Sequence, residues 1–358
     1  MGKIKAFQLI KKGKVEGERG ITGWVEIDEP VCSDHGAILR PVALASCTSE
    51  VHGIRTQFVE TPMAIGHETV GEVIKTGSLV RHFKAGDRVV VTCNDVDPHN
   101  YQILERDPKF VLNPATLAGG RSWAERFVVN DADFNLAYVP DSVTSLQAVM
   151  VPDMMGTAFA GIKNAEIEIG DSVAIIGIGP VGLMAVAGSV LRGAGRIYAV
   201  GSRKVCVDLA YHYGATKVID YHNGDIGKHI LKENNGKPVD AVIIAGGSDP
   251  SVVGNAFKYV KAGGHIVNVA AFMDVSKDFV IKNTDFSFGC NDARVGGCAV
   301  ANGRAWLERL LSLIETGRID PTPLATHIFH GFDSLPDTLA AMEDKNEKLV
   351  KSVALMDE

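Results

Sequence analysis

Ser172-Val173-Ala174-Ile175-Ile176-Gly177-Ile178-Gly179-Pro180-Val181-Gly182 is the stretch whose reading decides the fold of this chain. A short, nearly continuous apolar run reads as a strand buried on both faces, and the G-x-G-x-x-G spacing after it reads as a tight turn into a helix. The first glycine allows the sharp turn. The second lets the backbone approach a pyrophosphate at the helix N-terminus, and the third lets helix and strand pack closely. The motif is weak alone, but here a helical pattern through Leu183 and Ala187 follows it, and Arg196-Ile197-Tyr198-Ala199-Val200 supplies a second strand. Gly177, Gly179, Pro180, Val181 and Gly182 are therefore the expected cradle of a dinucleotide.

The same alternation extends downstream. Val239-Asp240-Ala241-Val242-Ile243-Ile244 ends at Gly246-Gly247, and His265-Ile266-Val267-Asn268-Val269 follows a predicted turn at Lys261-Ala262-Gly263-Gly264. Apolar strands joined by helices predict an α/β chain with a doubly wound parallel sheet. Upstream of about residue 150 the pattern differs. Short β-rich runs such as Gly71-Glu72-Val73-Ile74 and Arg88-Val89-Val90-Val91 are broken by turn signals such as Lys84-Ala85-Gly86-Asp87, which predicts a β-rich first domain. The tail predicts a helix over 304–315, a strand over 326–329 and a helix over 335–342, expected to pack back on that first domain. No internal repeat is visible.

Composition narrows the function classes. The 358 residues suit about two domains, and 46% hydrophobic with 22% charged residues is ordinary globular usage. Lys+Arg 36 against Asp+Glu 43 leaves a net charge of −7 with no long basic cluster, which argues against nucleic acid as partner. No apolar run reaches the roughly 20 residues that span a bilayer, and Met1-Gly2-Lys3-Ile4-Lys5 alternates charged with apolar residues, so neither membrane nor export is expected. The 6 cysteines lack paired spacing, as in a reducing compartment, and the cytoplasm is the expected location. Small molecules are the expected partners.

Cofactor choice is read at the end of the second strand of the dinucleotide unit, where a carboxylate would hold ribose hydroxyls and repel a 2'-phosphate. Gly201-Ser202-Arg203 stands there instead. With no acid at the tip the space is open, a hydroxyl can donate and a guanidinium can neutralise a phosphate, which favours NADP(H). A second reading makes Arg203 a solvated charge stacked on adenine.

Cys47, His67 and Glu68, the last two in Ile65-Gly66-His67-Glu68-Thr69-Val70-Gly71, bring a soft thiolate, an imidazole and a carboxylate, a donor set suited to zinc. Asp153, in Val151-Pro152-Asp153-Met154-Met155, is an acid in an apolar stretch and needs a partner. Each residue has a structural explanation when taken singly. Together, beside a dinucleotide unit, they point to a metal centre.

Cys47, Gly66-His67-Glu68 and the 177–182 glycine turn, in this order, resemble the zinc-dependent medium-chain alcohol dehydrogenases. Cys47-Thr48-Ser49, Gly195-Arg196-Ile197, Val200-Gly201-Ser202-Arg203, Val129-Asn130-Asp131-Ala132-Asp133 and Thr326-His327-Ile328-Phe329-His330-Gly331-Phe332 resemble the bacterial NADP-dependent secondary alcohol branch, and the likeness covers nearly the whole chain. It implies the medium-chain dehydrogenase fold, with a GroES-like catalytic domain over 1–156 and 298–358 and a Rossmann domain over 157–297. It implies one catalytic zinc on Cys47, His67 and Asp153, with Glu68 as an exchangeable fourth ligand. It also implies that Ser202, Arg203 and Tyr221 embrace the 2'-phosphate, and that Thr48, Ser49 and His52 form the catalytic group, with Ser49 and His52 relaying a proton to solvent. The substrate it implies is an alcohol or ketone, and the assembly a homotetramer or dimer. Many members carry a structural zinc on four cysteines, but 93–118 holds only Cys93, so no structural zinc is expected.

Two alternatives remain open on the sequence: a zinc polyol or sugar dehydrogenase, with Asn94 as a polar contact, and a zinc-free relative of the quinone-reductase kind. Small residues at Leu117-Ala118-Gly119-Gly120, Ala270-Ala271 and Cys298-Ala299 stand where the branch usually carries bulk, which predicts room for substrates larger than acetone and propan-2-ol unless Trp123 or a neighbouring subunit fills it.

Overall fold

The computed structural model describes residues 2–94, 96–99, 122–247, 249–271, 277–285, 293–297 and 303–356. Leu117 to Gly120, Cys290, Cys298 and Ala299 lie outside them. Among the described residues the strands in chain order are β1 (Lys3–Lys11), β2 (Ile21–Asp28), β3 (Ala37–Ser46), β4 (Met63–Ala64), β5 (Glu68–Thr76), β6 (Arg88–Val91), β7 (Phe127–Val129), β8 (Leu136–Tyr138), β9 (Ser172–Ile176), β10 (Arg196–Val200), β11 (Lys217–Ile219), β12 (Val239–Ile244), β13 (Val260–Asn268), β14 (Arg294–Gly297), β15 (Ala325–His330) and β16 (Lys351–Leu355). They fall into two units, Met1–Gly156 with Ala301–Glu358, and Thr157–Val300.

In the second unit every residue of β9 is buried, as expected of a strand covered on both faces. Its six strands run in the order β11-β10-β9-β12-β13-β14, all pairings parallel. The chain moves outward from β9 to β11, then crosses back to β12 on the other side of β9. That reversal is the topological switch point of a Rossmann sheet, where ligands bind beyond the carboxyl ends of the strands. At the opposite end, Asp240 on β12 accepts from the Ser172 N–H and Oγ at 2.7 Å each and from Lys261 Nζ at 2.5 Å, tying the beginnings of three strands together. The segment 261–264, predicted as a turn ahead of the strand, is instead a bulge inside β13. Val260 already pairs with Val239, the register resumes at His265 opposite Ala241, and Gly263 supplies a positive φ.

The first unit holds a seven-stranded sheet in the order β15-β16-β3-β5-β6-β8, with β7 also on β3, and a three-stranded sheet β2-β1-β4. Only the β15–β16 pairing is parallel in the larger sheet. Phe7, Leu9, Leu44, Ile54, Ile65, Trp123, Leu335 and Leu339 share one core, so the C-terminal helix Leu335–Asp344 packs with N-terminal strands. The register matters for function. β3 and β5 are antiparallel with Ala45 opposite Glu68, so the end of one strand delivers Cys47 beside His67 and Glu68 at the start of the other. Among the described residues no helix is long and apolar enough to cross a membrane.

The Asp240 anchor yields a pH-dependent prediction. Burial opposes its charge, but the Lys261 ammonium and the Ser172 donors outweigh that and hold its carboxyl below the usual range. A carboxyl depressed on folding adds stability above its unfolded value, near 3.9, and loses it as pH falls through the folded value. Asp240→Asn should therefore destabilise the dinucleotide unit by about 1–3 kcal/mol at neutral pH, with the difference closing below about pH 4. Urea unfolding at several pH values reads this, and a gap independent of pH would count against it.

Candidate metal centre and dinucleotide turn

Four donors converge in the first unit: Cys47 Sγ, a His67 ring nitrogen, a Glu68 oxygen and an Asp153 oxygen, all within 4.8 Å of one another. Cys47 Sγ lies 3.4 Å from Asp153 Oδ2, and His67 Nε2 lies 3.5 Å from that oxygen and 3.9 Å from Glu68 Oε1. They arrive from three places in the fold. Cys47 ends β3, His67 and Glu68 open β5, and Asp153 sits in a wide helical turn over Val151–Met155, where the Met155 N–H reaches back to the Met150 carbonyl at 3.0 Å. Such π-type turns re-aim a side chain that a regular helix would point elsewhere.

The loop before His67 is fixed by sterics. Gly66 has φ +95°, and a Cβ there would come 2.0 Å from Trp123 Cδ1, so only glycine passes. Trp123 is fully buried against Phe7, and its backbone N–H bonds the Ile65 carbonyl at 3.1 Å. Trp123 is thus a core residue beneath the metal loop.

Glu50, which sequence reading passed over, aligns the donors. Its Oε2 accepts from the Cys47 N–H at 2.5 Å while its Oε1 lies 2.9 Å from His67 Nδ1. A carboxylate this close to Nδ1 would favour a proton there once a metal takes Nε2, the arrangement of carboxylate–histidine–metal triads. Lys351, also missed, is buried with its Nζ donating to Glu68 Oε1 at 2.7 Å. The capping-box spacing from Cys47 to Glu50 was a usable signal for the first; a lysine inside the apolar run Leu349 to Leu355 was one for the second.

The electrostatics suit a cation. Burial pushes the Cys47 thiol up, and pushes Glu68 up to about 8 against the pull of Lys351. Burial opposes charge on His67 as well, yet Cys93, Glu50 and Asp153 hold it well above the usual imidazole range. On Asp153, burial is outweighed by His67 and Lys351, which hold the carboxyl low. The cluster therefore holds more acid than its own cations can keep ionised, and a divalent ion would supply the missing charge. The donor set and burial fit zinc.

Ser49 and His52 lie on the helix Thr48–Gly53 that begins after Cys47. Ser49 Oγ is 3.3 Å from His67 Nε2, at the donor cluster, and Thr48 opens the same turn. His52 is one turn further on, and burial, Lys345 and Arg55 lower its pKa. Cys93 and Asn94 follow β6, whose ladder with β5 ends at Val91 opposite Thr69.

In the second unit the three turn glycines do separate work. A Cβ on Gly177, at φ +90°, would meet Gly246 Cα at 2.6 Å across the switch point, and one on Gly182 would strike the Gly177 carbonyl at 1.9 Å. Gly179 faces open space, the cradle a phosphate needs, and Pro180 and Val181 begin the helix Pro180–Leu191 behind it. Ser202 and Arg203 follow β10, and Tyr221 follows β11; Val200 opposite Ile219 brings them to one end of the sheet. Tyr221 is half-exposed and stacks on His222 at 4.1 Å. One expectation needs correction: Gly201 does not leave open space. A Cβ there would come 2.2 Å from Ile178 Cγ1, so glycine at 201 is a packing requirement as well as the absence of an acid.

A β-rich unit with a Cys/His/carboxylate cluster, joined in one chain to a Rossmann unit with a phosphate turn, defines a medium-chain dehydrogenase. Residues 33–141 match the alcohol dehydrogenase GroES-like domain family and 180–316 the zinc-binding dehydrogenase family. The chain is 42% identical to the NADP-dependent isopropanol dehydrogenase of Thermoanaerobacter brockii and 40% to that of Clostridium beijerinckii, covering 99% of this chain and 100% of each relative. Among solved structures, zinc dependent alcohol dehydrogenase 2 from Streptococcus pneumonia superposes with a TM-score of 0.86 at 24% identity, with 99% of both chains covered. The chain belongs to the zinc-dependent medium-chain alcohol dehydrogenases, and within them to the NADP-dependent secondary alcohol branch.

Glu50→Gln keeps shape but removes the charge that orients His67, and should weaken zinc binding by about 10- to 100-fold, the range for partners of metal ligands. Competition against a chromogenic chelator measures this; unchanged affinity would reduce Glu50 to a helix cap.

Proposed function

We propose that this enzyme interconverts secondary alcohols and ketones with NADP(H), holding one zinc on Cys47, His67 and Asp153 with Glu68 as an exchangeable fourth ligand. The observation that carries the reading is the convergence of those donors within 4.8 Å of one another, with Glu50 2.9 Å from His67 Nδ1. When bound, zinc supplies Lewis acidity at the hydroxyl or carbonyl oxygen, and NADP(H) takes or gives the hydride. The zinc-free alternative has no use for four converging donors, and the polyol alternative is disfavoured by the names of the two relatives.

The protein's own groups handle the proton. Ser49 Oγ, at the cluster, accepts it from the substrate hydroxyl and passes it toward His52, which is i+3 on the same helix and so shares its face. A depressed pKa keeps His52 neutral near pH 7, ready to accept. His52→Ala should slow alcohol oxidation most around neutral pH. The deficit should narrow at high pH, where hydroxide serves, and below the pKa of His52, where the relay is already blocked. A pH–rate profile with no such maximum in the deficit would remove His52 from the relay.

Arg203, Ser202 and Tyr221 hold the 2'-phosphate in this reading, supported by their place at one end of the sheet and by the absence of an acid at 201–203. The small side chain of Ala270, whose N–H and carbonyl are bracketed by the Asn268 amide, supports the reading that bulkier substrates are admitted, and Trp123 is engaged in the core of its own unit. We further propose a cytoplasmic homo-oligomer, a tetramer or dimer, acting on small molecules.

The test is a ladder of ketones from acetone to aryl and branched ketones, assayed with NADPH and NADH. Activity should be NADPH-preferring, hold up or rise beyond acetone, and vanish with the zinc in Cys47→Ser. Arg203→Ala should cost about 1.5–3 kcal/mol in NADPH binding, the worth of a hydrogen bond to a charged group, and little in NADH binding. Equal kcat/KM for both cofactors would sink the cofactor reading, and a steady fall with ketone size would sink the enlarged pocket.

A further inference from the structure

Lys351 is an ammonium sealed from water. Its side chain is 2% exposed, and Nζ lies 2.7 Å from Glu68 Oε1 and 2.6 Å from Oε2. Sealing two ions in protein costs several kcal/mol each before their attraction is counted, and a hydrophobic pair of equal volume is often as stable. Packing alone therefore gives no reason for the pair, but its position does. Glu68 offers an oxygen within 4.8 Å of donor atoms on Cys47, His67 and Asp153, so one carboxylate lies within reach of two cations: Lys351 and an ion seated among those donors.

Charge decides how the carboxylate is shared. A Cys47 thiolate and the Asp153 carboxylate together match the two charges of zinc, and a ligating His67 is neutral. An ionised Glu68 would bring a third negative charge, which Lys351 is placed to match. β16 delivers that lysine by register, because Ser352 pairs with Ser46 and so sets Lys351 beside the Cys47 end of β3. We propose that Lys351 is a positioning residue that competes with the metal for Glu68, holding this carboxylate back so that the fourth coordination position stays available to substrate. The inference rests on the metal reading above.

Cobalt(II) in place of zinc gives a readout separate from activity, since its visible bands follow the ligand set and a thiolate ligand adds a charge-transfer band. Lys351→Met should shift the visible bands as Glu68 joins the ion, and should slow zinc loss to a chelator by about tenfold, the lower end of what partners of metal ligands change. Lys351→Arg, which keeps the charge, should restore both. Unchanged bands and zinc loss in Lys351→Met would overturn the proposal. Glu68→Gln is the independent check where Lys351→Met folds poorly. If Lys351 already keeps Glu68 off the ion, the cobalt bands of Glu68→Gln stay where they are, and a shift there overturns the proposal. An unmodified protein lacking the thiolate-to-cobalt band would instead overturn the metal reading itself.

Discussion

The Glu50 carboxylate, bonded at once to the Cys47 backbone and facing the His67 ring, is the contact on which the metal site depends. A buried acid is costly unless its lone pairs are used. Glu50 accepts from the Cys47 N–H with one oxygen, at the start of a helix, and sets the other 2.9 Å from the His67 imidazole. The end of β3, the start of β5 and the helix between them are thereby locked in one arrangement, and Cys47 Sγ and His67 Nε2 face a common point.

Around this contact the site is built from charges that need one another. Asp153 is ionised because His67 and Lys351 are near, and Glu68 is strained toward protonation by burial despite Lys351. Such a cluster is unfavourable by itself and favourable around a divalent cation, so the free energy of metal binding also relieves the folded chain. The cost of burying these groups is carried by the apolar cores of the same unit, through Leu44, Ile65 and Trp123.

The glycines show a second constraint common to both units: they stand where another group occupies the place of a Cβ. Trp123 fills it at Gly66, Gly246 at Gly177, the Gly177 carbonyl at Gly182 and Ile178 at Gly201. Residue 66 aims a metal ligand, and residues 177 and 182 shape the phosphate turn. Residue 201 shows how a packing need and a specificity signal can share one position: an acid is absent there, and so is the room for one.

The sequence by itself determined the periodicities and the chemistry. Apolar strands at 172–176, 196–200 and 239–244 suit a parallel sheet covered on both faces, and the glycine spacing between the first two, with a helix and a second strand after it, fits a phosphate turn. Cys47, His67 and Glu68 were legible together as a donor set suited to zinc, and Asp153 joined them only through the resemblance to the zinc-dependent alcohol dehydrogenases. The bulge at 261–264 was misread as a turn because local glycine signals do not reveal that Val260 already pairs with Val239. Only the tertiary structure decided which groups touch. Lys351 reaches Glu68 across 283 positions of chain, and Glu50 faces His67 because β3 and β5 run antiparallel in one register. Composition and spacing record what a side chain can do, whereas its partner is set by strand order, register and the exclusion of water, and these exist only once the chain has folded.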